Sequence, residues 1–272
     1  MHDAQVDSSE TVRFEAVARG VAGLRILFTN VYAIADSMGW VLVDAGLEGS
    51  ANRIRRWAHD LFGDTPPSAV VLTHGHFDHL GALPALLDTW DVPVYAHPLE
   101  LPYINGQRAY PSPDPTVGGG LMSRMSVLYR TGPFDVQGHE KALPADGTVP
   151  GLPGWNWIDT PGHTNGHISL FRASDRTLVV GDAFCTVRAE SFLAVMSQKP
   201  ELHGPPAYFA TDWDATAGSV RRLAALEPAV IAPGHGQPMT GPKTLRALKS
   251  IAEQLDRLAR PEQGQYVNHP RQ

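Results

Sequence analysis

The stretch THGHFDHLG, residues 73–81, places His74, His76, Asp78 and His79 within six positions. It follows SAVVL (68–72), an apolar run with the length and β-branched content of a buried strand. Side chains alternate along a strand, so His74 and His76 project to one side as the chain leaves it. Asp78 and His79 follow where the backbone turns into HLGALPALLDTW (79–90), which the spacing predicts to be a helix. One histidine in such a loop would be an ordinary polar or core residue. Three with an aspartate predict a metal site, because neutral imidazoles and carboxylates are the ligands a zinc-type ion takes.

Three more donors stand at predicted strand ends. PGHTNGH (161–167) puts His163 after the strand GWNWIDT, LVVGDAF (178–184) puts Asp182 at the end of an apolar strand, and APGHG (232–236) does the same for His235. Each is flanked by Gly or Pro, which let backbone pack close to a buried site. Any one alone reads as a turn residue; together with the first motif they read as one constellation. SAVVLTHGH (68–76) is echoed by PAVIAPGHG (228–236), and VLVDAG (41–46) by LVVGDA (178–183). The echoes predict two similar halves, each carrying donors at its strand ends.

The remaining periodicity fills in the frame. TVRFEAVA (11–18), LRILFTNVYAIA (24–35), GWVLVDAG (39–46), VPVYAHP (92–98) and HISLFRA (167–173) read as strands. SANRIRRWAHDLFG (50–63) reads as a helix with Ile54, Trp57, Ala58 and Leu61 on one face, Ser50 as N-cap and Gly63 at its stop. TDWDATAGSVRRLAALEP (211–228), with Asp212 or Asp214 near its start, and PKTLRALKSIAEQLDRLAR (242–260) are further helices. No linker separates independent units, so 1–272 reads as one domain. Residues 99–140 are rich in Pro, Gly, Tyr and Met and have no clean period. A segment of that length is expected to be a functional lid, with Tyr103, Tyr110, Met122, Met125, Leu128 and Tyr129 selecting an apolar substrate. The competing use is an interface in a homodimer.

The chain has 272 residues, 43% of them hydrophobic, and a formal charge of −6 without a basic block. That balance counts against nucleic acid or an anionic membrane as partner. The start MHDAQVDSSETV lacks the basic and apolar regions of a signal peptide, and no apolar run approaches the roughly 20 residues that span a bilayer. A single cysteine, Cys185, excludes a disulfide framework and a cysteine-based zinc site. The expected compartment is the cytoplasm.

The motifs THGHFDH, PGHTNGH, GDAF and PGHG, in that order, resemble those of the metallo-β-lactamase superfamily. The resemblance implies an α/β fold, an αββα four-layer sandwich of two mixed β-sheets flanked by helices, with metals in a cleft at one edge. It implies that His74, His76 and His163 hold one metal, that Asp78, His79 and His235 hold a second, and that Asp182 bridges them. Asp44 matches the aspartate that supports the site from behind. The β-lactamases with a cysteine ligand place it where this chain has Asp182, which argues against antibiotic resistance and for the lactonase-like or glyoxalase II-like branches. The implied cofactor is two Zn²⁺, with iron or manganese as alternatives for the same donors. Two ions about 3.5–4 Å apart can hold a bridging hydroxide at neutral pH, and no G-x-S-x-G elbow offers another nucleophile. The expected reaction is hydrolysis of a small ester or lactone, with Asp78 serving the leaving group and Tyr208 as the phenol that binds a substrate oxygen. The alternatives are a glyoxalase II-like thioesterase, for which the stretch GQPMTGPK after His235 offers only Lys243 as a basic residue, and a mononuclear-iron persulfide dioxygenase. His167 reads as a hydrogen-bonding neighbour of the ligands. Phe134, Phe184 and Trp213 join the tyrosines as possible pocket walls.

Overall fold

The computed structural model describes residues 11–267. Four strands open the chain as an antiparallel meander: β1 (Thr11–Ala18), β2 (Val21–Ile26), β3 (Thr29–Asp36) and β4 (Gly39–Val43). The run LRILFTNVYAIA is therefore two strands, turned at Leu27 and Phe28 with Leu27 at φ 57°. After helix α1 (Ala51–Phe62), strands β5 (Ala69–Val71), β6 (Val94–Ala96) and β7 (Glu140–Ala142) add in parallel, giving seven strands in sequence order. The second sheet runs in the order β12-β11-β10-β9-β8, from β8 (Trp155–Asp159), β9 (Ile168–Arg172), β10 (Thr177–Gly181), β11 (Val230–Pro233) and β12 (Met239–Thr240). Its β10–β11 pair is parallel and the rest antiparallel.

Alternation sorts these strands into layers. Val41, Val43, Ala69 and Val71 point inward against Ile168, Leu170, Val179 and Ala232 of the second sheet. Their neighbours Leu42, Val70 and Leu72 point outward onto Ile54, Trp57 and Ala58 of α1 and onto Leu83, Leu86 and Leu87 of α3 (Leu83–Leu87). On the far side Leu178, Val180 and Ile231 pack on α7 (Trp213–Ala225) and α8 (Pro242–Leu258). Both faces of the central strands are buried, which is why they read as continuous apolar runs. The result is the expected αββα sandwich of two mixed sheets.

Helix boundaries follow local chemistry, with three departures. Asp212 caps α7 by accepting from the Ala215 N–H, but the Ser50 hydroxyl donates back to the Leu47 carbonyl rather than capping α1. Leu61 is 40% exposed, so the buried stripe of α1 is Ile54, Trp57 and Ala58. The single helix expected after the motif is two pieces, α2 (Phe77–Leu80) and α3, with Pro84 in the first turn of the latter, where a missing N–H costs nothing. Residues 99–140 are not wholly irregular: they hold α4 (Leu101–Ile104), α5 (Leu121–Met125) and a 3₁₀ turn at Ser126–Leu128, and end on β7. Another short helix, α6 (Phe192–Ser197), precedes α7. Among the described residues no helix is long and apolar enough to cross a membrane.

The echoed motifs become equivalent corners. In each sheet a parallel strand pair, β4 with β5 and β10 with β11, ends at the same edge. From those four ends project Asp44, His74, Asp182 and His235.

Candidate metal centre

Buried histidines must each account for two ring nitrogens, and here the outer nitrogen decides what the inner one can do. The Thr73 hydroxyl donates to Asp44 Oδ2, so its oxygen is left to accept from His74 Nδ1, 3.1 Å away. His79 Nδ1 donates to Asp44 Oδ2 at 2.9 Å, and His235 Nδ1 donates to the Phe28 carbonyl at 2.8 Å. In the neutral rings the protons are committed outward, so His74, His79 and His235 aim bare Nε2 lone pairs inward.

Those lone pairs meet others. His74 Nε2 lies 3.1 Å from His76 Nδ1, which lies 2.9 Å from His163 Nε2. His235 Nε2 stands 3.0 Å from Asp182 Oδ2 and 3.4 Å from Asp78 Oδ2. Asp182 touches both groups, with Oδ2 3.5 Å from His163 Nε2 and Oδ1 3.5 Å from His79 Nε2. The donor atoms fall into three overlapping sets: His74, His76 and His163; His74, His79 and Asp182; and Asp78, His79 and His235. All seven residues are at least 94% buried.

Do these residues fit an ion? Zinc–nitrogen bonds of about 2.0–2.1 Å in a tetrahedron put neighbouring nitrogens about 3.3 Å apart, close to the spacing of the first set. His79 Nε2 and Asp182 Oδ1 are buried and have no hydrogen-bond partner, a costly state that a cation would relieve. Electrostatics agrees. Burial holds His74 and His76 well below the usual histidine range and takes His163 down to about 3. Burial also lowers His79 and His235, but Asp182 and Asp78, joined by Asp44 at His79, outweigh it and raise both. Asp182 is raised by burial, yet His235 and His79 hold it well below the carboxylate range. One half of the site offers neutral nitrogens and the other demands positive charge. The residues fit divalent ions.

Behind the donors stand residues that fix them. Asp44, at φ 59° beyond β4, accepts from the Thr73 N–H, the Thr73 hydroxyl and His79. Replacing Asp44 by alanine leaves three buried donors without acceptors, and is expected to lower the unfolding free energy of the metal-free protein by more than about 2 kcal/mol in a urea titration. A change within error would remove Asp44 from this role. His167 is not among the donors: its Nε2 accepts the Asp182 N–H at 2.8 Å and its Nδ1 faces the Thr160 hydroxyl at 2.8 Å. Burial takes it down to about 4, which keeps Nε2 free to accept. Gly234 has no room for a side chain, because a Cβ there would collide with Asp182 and His79.

The opening onto the first donor set is lined by His76, His163, Tyr103, Tyr110, Asn165 and Phe209, among others. Tyr103 and Tyr110 are thus at the mouth, stacked at 4.2 Å. Tyr129 packs between Phe77, Tyr208 and Phe209. Met122 sits in the core beside Tyr129, while Met125 and Leu128 turn outward, the latter 75% exposed. Phe134, Phe184 and Trp213 are core residues. Two residues were not singled out by sequence: Phe209, stacked 4.3 Å over His76, and Glu100, which is fully buried against the ligand loops.

Known proteins resemble this chain in sequence and fold. "Probable metallo-hydrolase YflN" of Bacillus subtilis (strain 168) is 48% identical over 246 residues, 89% of this chain and 93% of that protein. A crystal structure of TTHA1623 in a di-iron-bound form is 26% identical with a TM-score of 0.53, over 80% of this chain and 92% of that one. The BLEG-1 B3 metallo-beta-lactamase, 23% identical with a TM-score of 0.54 over 88% and 94% of the two chains, has the same fold. The metallo-beta-lactamase superfamily pattern matches residues 24–235, which span every donor from His74 to His235, and the chain belongs to that superfamily.

Proposed function

We propose that the protein is a dinuclear metal-dependent hydrolase of small esters or lactones. The observation that supports this reading is the convergence of seven buried donors in three overlapping sets, more than one tetrahedral ion uses, with Asp182 3.5 Å from both His163 and His79. His74, His76 and His163 would hold one ion, Asp78, His79 and His235 the other, and Asp182 both. Zinc suits the nitrogen-rich donor set, and iron is the alternative favoured by the di-iron form of TTHA1623. When bound, the ions supply Lewis acidity and a water ionised near neutral pH.

The chain's own residues do the rest. Asp78, whose Oδ2 faces His235, would take the proton released by the attacking water on its other carboxylate oxygen and return it to the leaving alkoxide. Tyr103, Tyr110 and Phe209 offer aromatic faces to the acyl or ring portion of a substrate, and Asn165 and Thr164 offer polar groups beside them. Tyr208, buried and packed on Tyr129 and Phe209, would donate its phenol proton to a substrate oxygen. Tyr208→Phe is then expected to lower kcat/KM about 10²-fold with both ions retained; an unchanged value removes Tyr208 from the mechanism.

A panel of lactones, aryl esters and thioesters tests the class. Lactones or esters are expected to lead. Preference for thioesters would point instead to a glyoxalase II-like activity, and oxygen uptake with a persulfide substrate to the dioxygenase.

A further inference from the structure

Three ligands of the proposed first ion come from two loops on different sheets. His74 and His76 follow β5, whereas His163 lies in the β8–β9 turn. Something must hold these loops at the nitrogen spacings measured. Between them is Glu100, a carboxylate with no exposure to solvent, contributed by the chain after β6. Its Oε2 accepts from the N–H of Gly75, the residue between His74 and His76, at 3.0 Å, and from the Tyr110 hydroxyl. Its Oε1 accepts from the hydroxyl of Thr164, next to His163, at 2.7 Å and from the Gly166 N–H at 3.0 Å.

All four partners are uncharged donors, so each carboxylate oxygen is satisfied twice and neither is spare. Both loops are shaped for this approach: a Cβ on Gly166 would lie 2.9 Å from Glu100 Oε1, and one on Gly75 would meet the Tyr110 hydroxyl. Tyr110 also accepts from the Gly75 N–H at 2.9 Å while its ring stands 4.7 Å from that of His76.

Resting on the metal-centre reading above, we infer that Glu100 is a positioning residue that clamps the two ligand loops together and sets the geometry of the first ion's site. The contact is specific to a carboxylate. An amide in its place keeps one acceptor oxygen but turns an N–H₂ group toward the backbone N–H of Gly75 or of Gly166, which cannot accept, so one loop loses its backbone anchor.

The test is Co²⁺ titration of metal-free wild-type protein and of Glu100→Gln, following the visible bands of the ion. The variant is expected to bind the first Co²⁺ about 10–100-fold more weakly and to show altered bands. Tyr110→Phe and Thr164→Val, which each remove one donor to the carboxylate, are expected to fall between the two, and they stand in if Glu100→Gln does not fold. A merely structural Glu100 would lower the unfolding midpoint and leave affinity and bands like those of wild type, and that result overturns the inference. Wild-type protein that takes up no Co²⁺ would overturn the metal-centre reading itself, and the inference with it.

Discussion

Asp182→Asn is expected to lower kcat/KM about 10³-fold or more and to bring the metal content below two ions per chain. The substitution keeps the volume and leaves the backbone N–H on His167. What it removes is one of the two carboxylates among the seven donors, the one placed 3.0–3.5 Å from His79, His163 and His235. A neutral amide cannot balance two divalent charges in a buried site. The stabilisation at stake is several kcal/mol, and at about 1.4 kcal/mol per tenfold in rate that gives the stated loss. Elemental analysis beside steady-state kinetics checks it. Two bound ions with undiminished turnover would mean that Asp182 bridges nothing.

The second large effect belongs to Asp78. Asp78→Asn is expected to lower kcat about 10²–10⁴-fold, the usual contribution of a positioned proton carrier, while changing stability little. Asp78 sits in the first turn of α2, buried, with Oδ2 facing His235. It combines an anionic donor with a carboxylate buried beside the other donors. An asparagine preserves the shape and cannot carry the proton. The urea midpoint and the kinetics separate the two effects, and intact catalytic efficiency with two ions bound would refute the role.

Much of the centre was legible because it is local. H-x-H-x-D-H needs six residues, and His163, Asp182 and His235 each follow a strand and sit beside Gly or Pro. The echo of VLVDAG in LVVGDA predicted equivalent strand ends, which the parallel pairs β4–β5 and β10–β11 supply. Glu100 was not legible: its partners lie 10, 25 and 64–66 residues away, and a glutamate in HPLELPY carries no local mark of burial. Phe209 reads as one aromatic among several until tertiary packing puts it over His76. β7 escaped notice because Glu140, Lys141 and Ala142 form a mostly exposed edge with no apolar alternation, and β12 because it is two residues long. The split between α2 and α3 hid inside a run whose apolar spacing continues through Gly81 and Pro84.

The proposed chemistry rests on two ions held by one set of seven donors. Elemental analysis of purified protein, by mass spectrometry against amino-acid quantitation, tests it most directly. Two zinc-type ions per chain are expected, lost together with activity on chelation and restored together on adding metal. One iron per chain with no zinc, in fully active protein, would contradict it.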